Sequence, residues 1–440
     1  MGYLSQLFFL ILFSGTILVI LKRIRDIRRN INLGKATNRY EKRGERIKNM
    51  VLMAFGQKKM FHKPIVAFLH LFVYLGFLIV NIEILEIIID GLLGSHRIFL
   101  SSLGSFYPVF ISIFEFFAVA VIVSCAIFLI RRNIIHIRRF SGKEMTSWPK
   151  TDANIILTAE ILLMLAFLTM NASDTILQTR GFGGYHHTGA FFFSSFLAPL
   201  LTGFSSETLR TIERFGWWFH IMGVFSFAIY VFQNSKHLHI FLAFPNTYFA
   251  QLKPLGYWEN MPSVTKEVKL MLNLETPDPN EPASEVGRFG AKDVQDLSWK
   301  NLLDAYACTE CGRCTSNCPA NITGKKLSPR KIMMDTRDRL EEVGKGMQKN
   351  GKDFQDGKAL LGDYITDEEI MACTTCNACV EACPVLINPL DIIIQLRRYK
   401  IMEEAQAPAS WNTMFANIEN NFAPWKFSPT DRANWKEKLD

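Results

Sequence analysis

The sequence predicts an all-α protein in two parts: a five-helix transmembrane bundle, then a helical domain organised by a doubled cysteine motif. Three observations carry that prediction. The first 240 residues hold five apolar runs of bilayer-crossing length, which takes about 20 residues. The rest of the 440-residue chain reads as ordinary soluble sequence. Eight of the nine cysteines fall in two copies of one spacing.

The apolar runs are Leu4–Ile20, Ile65–Ile89, Val109–Ile130, Ile155–Met170 and Phe215–Phe232. The first is not expected to be a cleaved signal, because no positive residues precede it, no small-residue cleavage site follows, and its charges come after it. Between Lys22 and Lys63 lie 14 Lys/Arg against three Asp/Glu, more than the whole net charge of +8. A basic block between two apolar spans is a positive-inside signal. Arg131–Lys150 is a second such block, whereas the loops after spans two and four are poor in Lys and Arg. These charges put the N-terminus outside and the C-terminal domain in the cytoplasm. They also account for the basic balance without nucleic acid. Lys236–Phe249 suits the lipid headgroup level. The transmembrane part is expected to span 1–250, followed by a linker at 251–298 with T-P-D-P-N-E-P at Thr276–Pro282, where closely spaced prolines oppose a helix. The cysteine domain then covers 299–400, and 401–440 forms a tail expected to contact a partner.

The motifs are C-T-E-C-G-R-C-T-S-N-C-P from Cys308 and C-T-T-C-N-A-C-V-E-A-C-P from Cys373. C-x2-C-x2-C-x3-C-P wraps three thiolates round one iron–sulfur cube and gives the fourth to another. Two copies predict a reciprocal pair of [4Fe-4S] clusters. One sits on Cys308, Cys311, Cys314 and Cys383, the other on Cys373, Cys376, Cys379 and Cys318. Structural zinc is the competing reading, but it needs neither the third Cys nor the Pro. The 54 residues between Cys318 and Cys373 point to a helical ferredoxin-type domain with two clusters. Cys125, alone in an apolar run, reads as a small buried residue. No cysteine is left for disulfides, so the soluble part should face a reducing compartment.

All nine histidines precede residue 240, and His62, His70, His220, His237 and His239 lie in or beside spans. An unpartnered imidazole inside an apolar helix is costly, and imidazole is the usual axial ligand of haem b. One or two haems between helices are therefore expected. Helical rise leaves the pairing open between His70 with His220 and His70 with His237 or His239. Glu83, Glu86 and Asp90 share a face of span two, and Glu115 lies in span three. Carboxylates at such depth suit proton transfer or a quinol pocket, or else hydration near the outer surface or pairing with Arg97. The loop Gly181–Gly189 either borders a quinone pocket or is a Gly-rich turn.

With these residues in place, the chain resembles heterodisulfide-reductase-related membrane iron–sulfur oxidoreductases, a group that includes electron-transfer-flavoprotein:menaquinone oxidoreductases. F-G-W-W-F-H at Phe215–His220 and S-K-H-L-H-I-F at Ser235–Phe241 are similar to its membrane domain, itself like the cytochrome b subunit of respiratory nitrate reductase. L-S-W-K-N-L-L-D-A-Y-A-C-T-E-C-G-R-C and P-L-D-I-I-I-Q-L-R-R-Y at Pro389–Tyr399 resemble its two-cluster domain. The resemblance implies haem ligands at His70 and His62 on the second helix, and at His220 with His237 or His239 on the fifth. It implies an oxidoreductase subunit of a bacterial inner (cytoplasmic) membrane, passing electrons between a cytoplasmic partner and the menaquinone pool. The chain has no adjacent Cys pair of the family's CCG modules, so a separate CCG-domain subunit or an electron-transfer flavoprotein is the expected partner. The alternative is a haem-free membrane redox sensor or assembly scaffold carrying clusters.

Overall fold

The computed structural model describes residues 2–276, 288–426 and 428–438. Pro277–Pro282 of the expected linker lie outside the described residues. Those described are helical and irregular, with isolated β-bridges but no strand. Among the described residues, five helices are long and apolar enough to cross a membrane: α1 (Tyr3–Ile31), α2 (Pro64–Leu93), α3 (Tyr107–Asn133), α4 (Ser147–Thr179) and α5 (Ser206–Asn234).

Local chemistry sets their ends. Pro64 opens α2 at a position where no backbone N–H is needed. Gly94, at φ +74°, closes it in the left-handed conformation glycine adopts without strain. Ser205 caps α5 by accepting the Thr208 N–H at 3.2 Å. The helices form a ring in which α1 packs on α2 and α5, α2 on α3, α3 on α4, and α4 on α5. Phe9, Val80, Phe114, Phe167, Ile221 and Phe225 fill its interior. Leu4, Ile65, Val109 and Phe215 point outward and stay exposed, the apolar periphery of a membrane protein.

Each helix runs beyond its apolar stretch, because the added turns bind polar partners. α1 continues through its charges to Ile31, where Asn30 donates to the Tyr306 hydroxyl at 2.9 Å. α4 begins at Ser147, and its buried Asp152 accepts the Tyr230 hydroxyl of α5 at 2.7 Å. Hydropathy alone does not register such turns.

After α5, a short helix, α6 (His239–Tyr248), leads out of the bundle. The cysteine domain is built on α7 (Trp299–Ala307), α8 (Pro329–Asn350) and α9 (Pro389–Arg398), capped by Ser298, Ser328 and Asn388. Leu302, Ile332, Leu340, Leu360, Ile393 and Leu396 form its core. Part of the stretch read as linker is structured: Pro262–Met271 is helical, and Ala291, Val294 and Leu297 enter the core. Gly290 makes that entry possible at φ +69°, since a Cβ there would lie 2.2 Å from the Gln395 carbonyl oxygen.

The domain is clamped to the basic end of the bundle. Arg23 meets Glu341 at 2.6 Å. Lys35 donates its N–H to the Leu297 carbonyl at 2.7 Å and accepts from the Trp299 N–H at 3.1 Å. Gly34 allows that approach, a Cβ there falling 2.5 Å from the Trp299 nitrogen. Arg330, 1% exposed, binds Glu144 of the α3–α4 link at 2.6 Å and the Arg139 carbonyl at 2.7 Å. The basic segments read as positive-inside signals therefore also serve as the docking surface.

Candidate redox centres

Each cysteine motif is a loop delivered by a helix or turn and closed by a proline. The two loops repeat one backbone conformation. Glu310 and Thr375 occupy matching positions at φ +52° and +55°, and Gly312 and Asn377 at +71° and +60°. Non-glycine residues adopt this conformation only at a cost, and here it turns amides toward sulfur. The Thr375 N–H donates to Cys373 Sγ at 3.4 Å, and the Glu310 backbone makes the matching bond to Cys308. The Ile387 N–H adds a bond to Cys383 Sγ at 3.3 Å. Such bonds stabilise charge on sulfur.

The thiols gather in two groups. Cys308, Cys311, Cys314 and Cys383 lie within electrostatic reach of one another. So do Cys318, Cys373, Cys376 and Cys379. The second group lines a cavity walled by Leu327, Pro329, Leu390 and Ile393. Among the described residues, no three His, Cys, Asp or Glu converge as a single metal ion requires. Thiols spread round a cavity suit a larger polynuclear body better than lone zinc. Burial pushes the free thiols of Cys308, Cys379 and Cys383 up to about 12, so loading with iron must displace protons. Cys376 is exposed, whereas Cys308 and Cys383 are buried. Cys125 is buried in the bundle core, away from both groups.

The histidines divide as well. His70, His237 and His239 cluster where the bundle meets the cysteine domain; the rings of His237 and His239 are 5.4 Å apart. His70 Nδ1 is 2.9 Å from Gln57 Oε1, His239 Nδ1 is 3.0 Å from the Lys236 carbonyl, and His237 Nδ1 has no partner. Burial drives His237 and His239 below the ordinary histidine range, leaving the neutral ring that ligates metals. His220 stands apart, fully buried on α5 beside Phe167. Its Nδ1 bonds the Leu163 carbonyl at 2.9 Å, while Nε2 has no partner. A ring oriented through one nitrogen with the other bare suits an axial ligand. His62 is exposed in the turn before α2. His70 is thus gathered with His237 and His239, while His220 stands apart in α5 and His62 is exposed.

Several residues of the site were not singled out by the sequence. Glu310, inside the first cysteine loop and 5% exposed, binds Lys236 at 3.2 Å and Arg337 at 2.7 Å. Burial acts to raise its carboxyl, and Arg337 and Lys236 outweigh that, leaving it below the usual range. Lys236 immediately precedes His237, so one ion pair joins the cysteine loop to the histidine segment. Arg313 of the same loop lies near His70 and bonds the Lys59 carbonyl at 3.3 Å. The one available signal was Glu310 standing where the second motif has Thr375. At the end of the bundle remote from the cysteine domain, the Arg97 guanidinium pairs with Asp174 and Asn171 of α4, and the Arg97 amide bonds the Asp90 carboxylate of α2 at 2.8 Å. In the Gly-rich loop, Thr188 bonds Gln178, and Tyr185 donates to Glu213 at 2.8 Å.

Residues 307–387 match the 4Fe-4S dicluster domain family. The chain is 28% identical to the probable iron-sulfur-binding oxidoreductase FadF of Bacillus subtilis, over 99% of this chain and 61% of that protein. It is 26% identical to the EtfAB:quinone oxidoreductase of Syntrophomonas wolfei, over 91% of this chain and 55% of the relative. Over 24% of its length it is 34% identical to one component of the ferredoxin/F(420)H(2)-dependent CoB-CoM heterodisulfide reductase of Methanosarcina acetivorans, covering 52% of that component. The chain thus spans less than two thirds of the length of these curated relatives, and no solved structure matches it. The family match and the relatives agree with the cysteine geometry: the chain carries a segment of the 4Fe-4S dicluster type behind helices long and apolar enough to cross a membrane, and it is similar to iron–sulfur oxidoreductases and to a heterodisulfide reductase component.

Proposed function

We propose that the chain is the membrane-anchored subunit of a quinone oxidoreductase, linking a cytoplasmic redox partner to the menaquinone pool through two [4Fe-4S] clusters and haem b. One observation carries this reading: the Glu310–Lys236 ion pair fastens the first cysteine loop to the segment bearing His237 and His239. Such a joint is what a chain must build if electrons are to cross between the two parts.

Cys308, Cys311, Cys314 and Cys383 would hold the cluster nearer the membrane, and Cys318, Cys373, Cys376 and Cys379 the one nearer the partner. The exposure of Cys376 supports that order. His70 with His237 or His239 would hold haem near the domain, and the bare Nε2 of His220 supports a second ligand position deeper in the bundle. His62, exposed in the turn before α2, would be a further ligand position at the start of that helix. Bound there, these groups supply one-electron carriers. The protein's own share is to fix them, exclude water with the aromatic and aliphatic core, and hold neighbouring charges still. The partner would be a CCG-domain subunit or an electron-transfer flavoprotein docking over Cys376 and the tail. By this reading electrons run from reduced flavoprotein to menaquinone.

Purified protein in menaquinone-containing vesicles, supplied with reduced flavoprotein and the partner subunit, should reduce menaquinone. A pyridine haemochrome assay should find haem b. A haem-free spectrum would favour the sensor or scaffold reading, and partner reduction driven only by menaquinol would reverse the direction.

A further inference from the structure

The outer half of the bundle, at the end remote from the cysteine domain, holds a buried polar network that the proposed function leaves unused. Glu83, Glu86 and Asp90 of α2, Glu115 of α3 and Asp174 of α4 are all buried, as is the single guanidinium among them, Arg97. Donors are distributed very unevenly over these carboxylates. Glu115 accepts from Asn171 at 3.0 Å, from the Phe193 and Ser194 N–H groups at 2.8 and 3.0 Å, and from the Ser194 hydroxyl. Asp90 accepts from Ser95 and from the Arg97 and Ile98 amides. Asp174 takes two Arg97 bonds, at 3.0 and 2.8 Å. Glu86 takes the Phe99 amide and the Tyr107 hydroxyl, both at 2.9 Å. Glu83 is 1% exposed, and neither of its oxygens has a partner.

An ionised carboxylate is acceptor-only and needs donors or a counter-charge when buried. The one nearby cation is engaged by Asp174, and the charges facing Glu83 are Arg97, Glu86 and Glu115. Among the described residues no three His, Cys, Asp or Glu converge at Glu83 to hold a metal ion, and the ligand whose chemistry fits a donor-free buried carboxyl is a proton. We infer that Glu83 is a proton-binding site of the bundle, in exchange with the remote face through Glu86, Tyr107, Arg97, Asp174 and His96. Glu86 lies one helical turn from Glu83. Tyr107 donates to Glu86 and sits 3.4 Å from Arg97 Nη1. Arg97 keeps its charge, handing on a proton only as it takes one. The free oxygen of Asp174 lies 3.8 Å from Nε2 of His96, which is partly exposed and meets the Tyr185 ring edge-on. Every proton that reaches Glu83 this way leaves one group and joins the next, with no net charge left along the line.

The test is infrared spectroscopy of the complete protein in lipid, with no electron donor or quinone, so it stands whether or not the proposed electron path is right. At neutral pH the wild type should show the C=O stretch of a protonated carboxyl, shifting on transfer to D2O. Glu83→Gln should remove that band, and Glu115→Gln should leave it. Tyr107→Phe and His96→Ala should keep the band but slow its exchange roughly tenfold, as an added barrier of about 1.4 kcal/mol would. Those two variants decide the matter if Glu83→Gln fails to fold. A band that persists in Glu83→Gln, or one that exchanges at the wild-type rate in both relay variants, overturns the inference.

Discussion

Arg330 holds the cysteine domain against the bundle, and its removal has a calculable cost. Its Nη2 and Nε bind Glu144 at 2.6 and 3.0 Å, and Nη1 binds the Arg139 carbonyl at 2.7 Å. Gly142 and Gly312 press close on the guanidinium, each too near for a side chain of its own. In Arg330→Met the stem is kept and the charge is lost, leaving Glu144 half-buried without its cation. Breaking one side of a buried pair costs about 3–5 kcal/mol. For a domain of this size, 1 kcal/mol moves the melting temperature by roughly 4–8 °C. Cluster bleaching near the visible absorbance maximum should then come more than roughly 12 °C earlier on heating. Glu144→Met on top of Arg330→Met should recover much of the loss, because no charge is then left unpaired. A single variant that melts within a few degrees of wild type, with no gain from the second substitution, would refute the argument.

Other expectations follow from the same geometry. Glu310→Gln should raise the midpoint potential of the cluster nearer the membrane by roughly 50 mV, the one-electron equivalent of about 1 kcal/mol from removing a nearby negative charge; potentiometric EPR with the other cluster unshifted would bear this out. Under the proposed function, Cys308→Ser and Cys376→Ser should each lose a different cluster, and His220→Ala should cost haem while keeping both clusters; simultaneous loss of all centres from His220→Ala would contradict the separation of the parts. Asp335 is pushed up to about 6, mainly by burial. A carboxyl raised on folding stabilises the protein fully only below its unfolded value, and that contribution is lost as pH rises through about 6. Asp335→Asn should therefore flatten the melting-temperature profile between about pH 4 and 6, and Lys331 keeps Glu369 as a partner at 2.9 Å. An unchanged slope would show that Asp335 does not titrate there.

The spans were legible because about 20 apolar residues in a row have few other uses. The cysteine groups were legible because the spacing is the coordination geometry written along the chain. The helical extensions were not, since turns such as Asp152 and Asn30 are held by tertiary partners distant in sequence. Neither was the role of Glu310, whose meaning depends on Lys236 and Arg337 arriving from elsewhere. The distribution of histidines was half readable: their burial near spans followed from hydropathy, but the grouping of His70 with His237 and His239 depends on how α6 leaves the bundle. Asp174 and Tyr107 escaped notice because a single polar residue near the end of a long helix carries no pattern.

α1 runs without interruption from the remote end of the membrane part into the cysteine domain, 29 residues or roughly 44 Å of stiff rod. With Asn30 and Arg23 anchored at its foot and Gly34 pressed on Trp299, there is no slack for the domain to swing on. A shuttle that visits two stations needs a hinge, and this molecule has a strut in its place. Under the proposed function it is the partner that would do the travelling, so tethering the domain to the bundle by an added crosslink should leave turnover untouched.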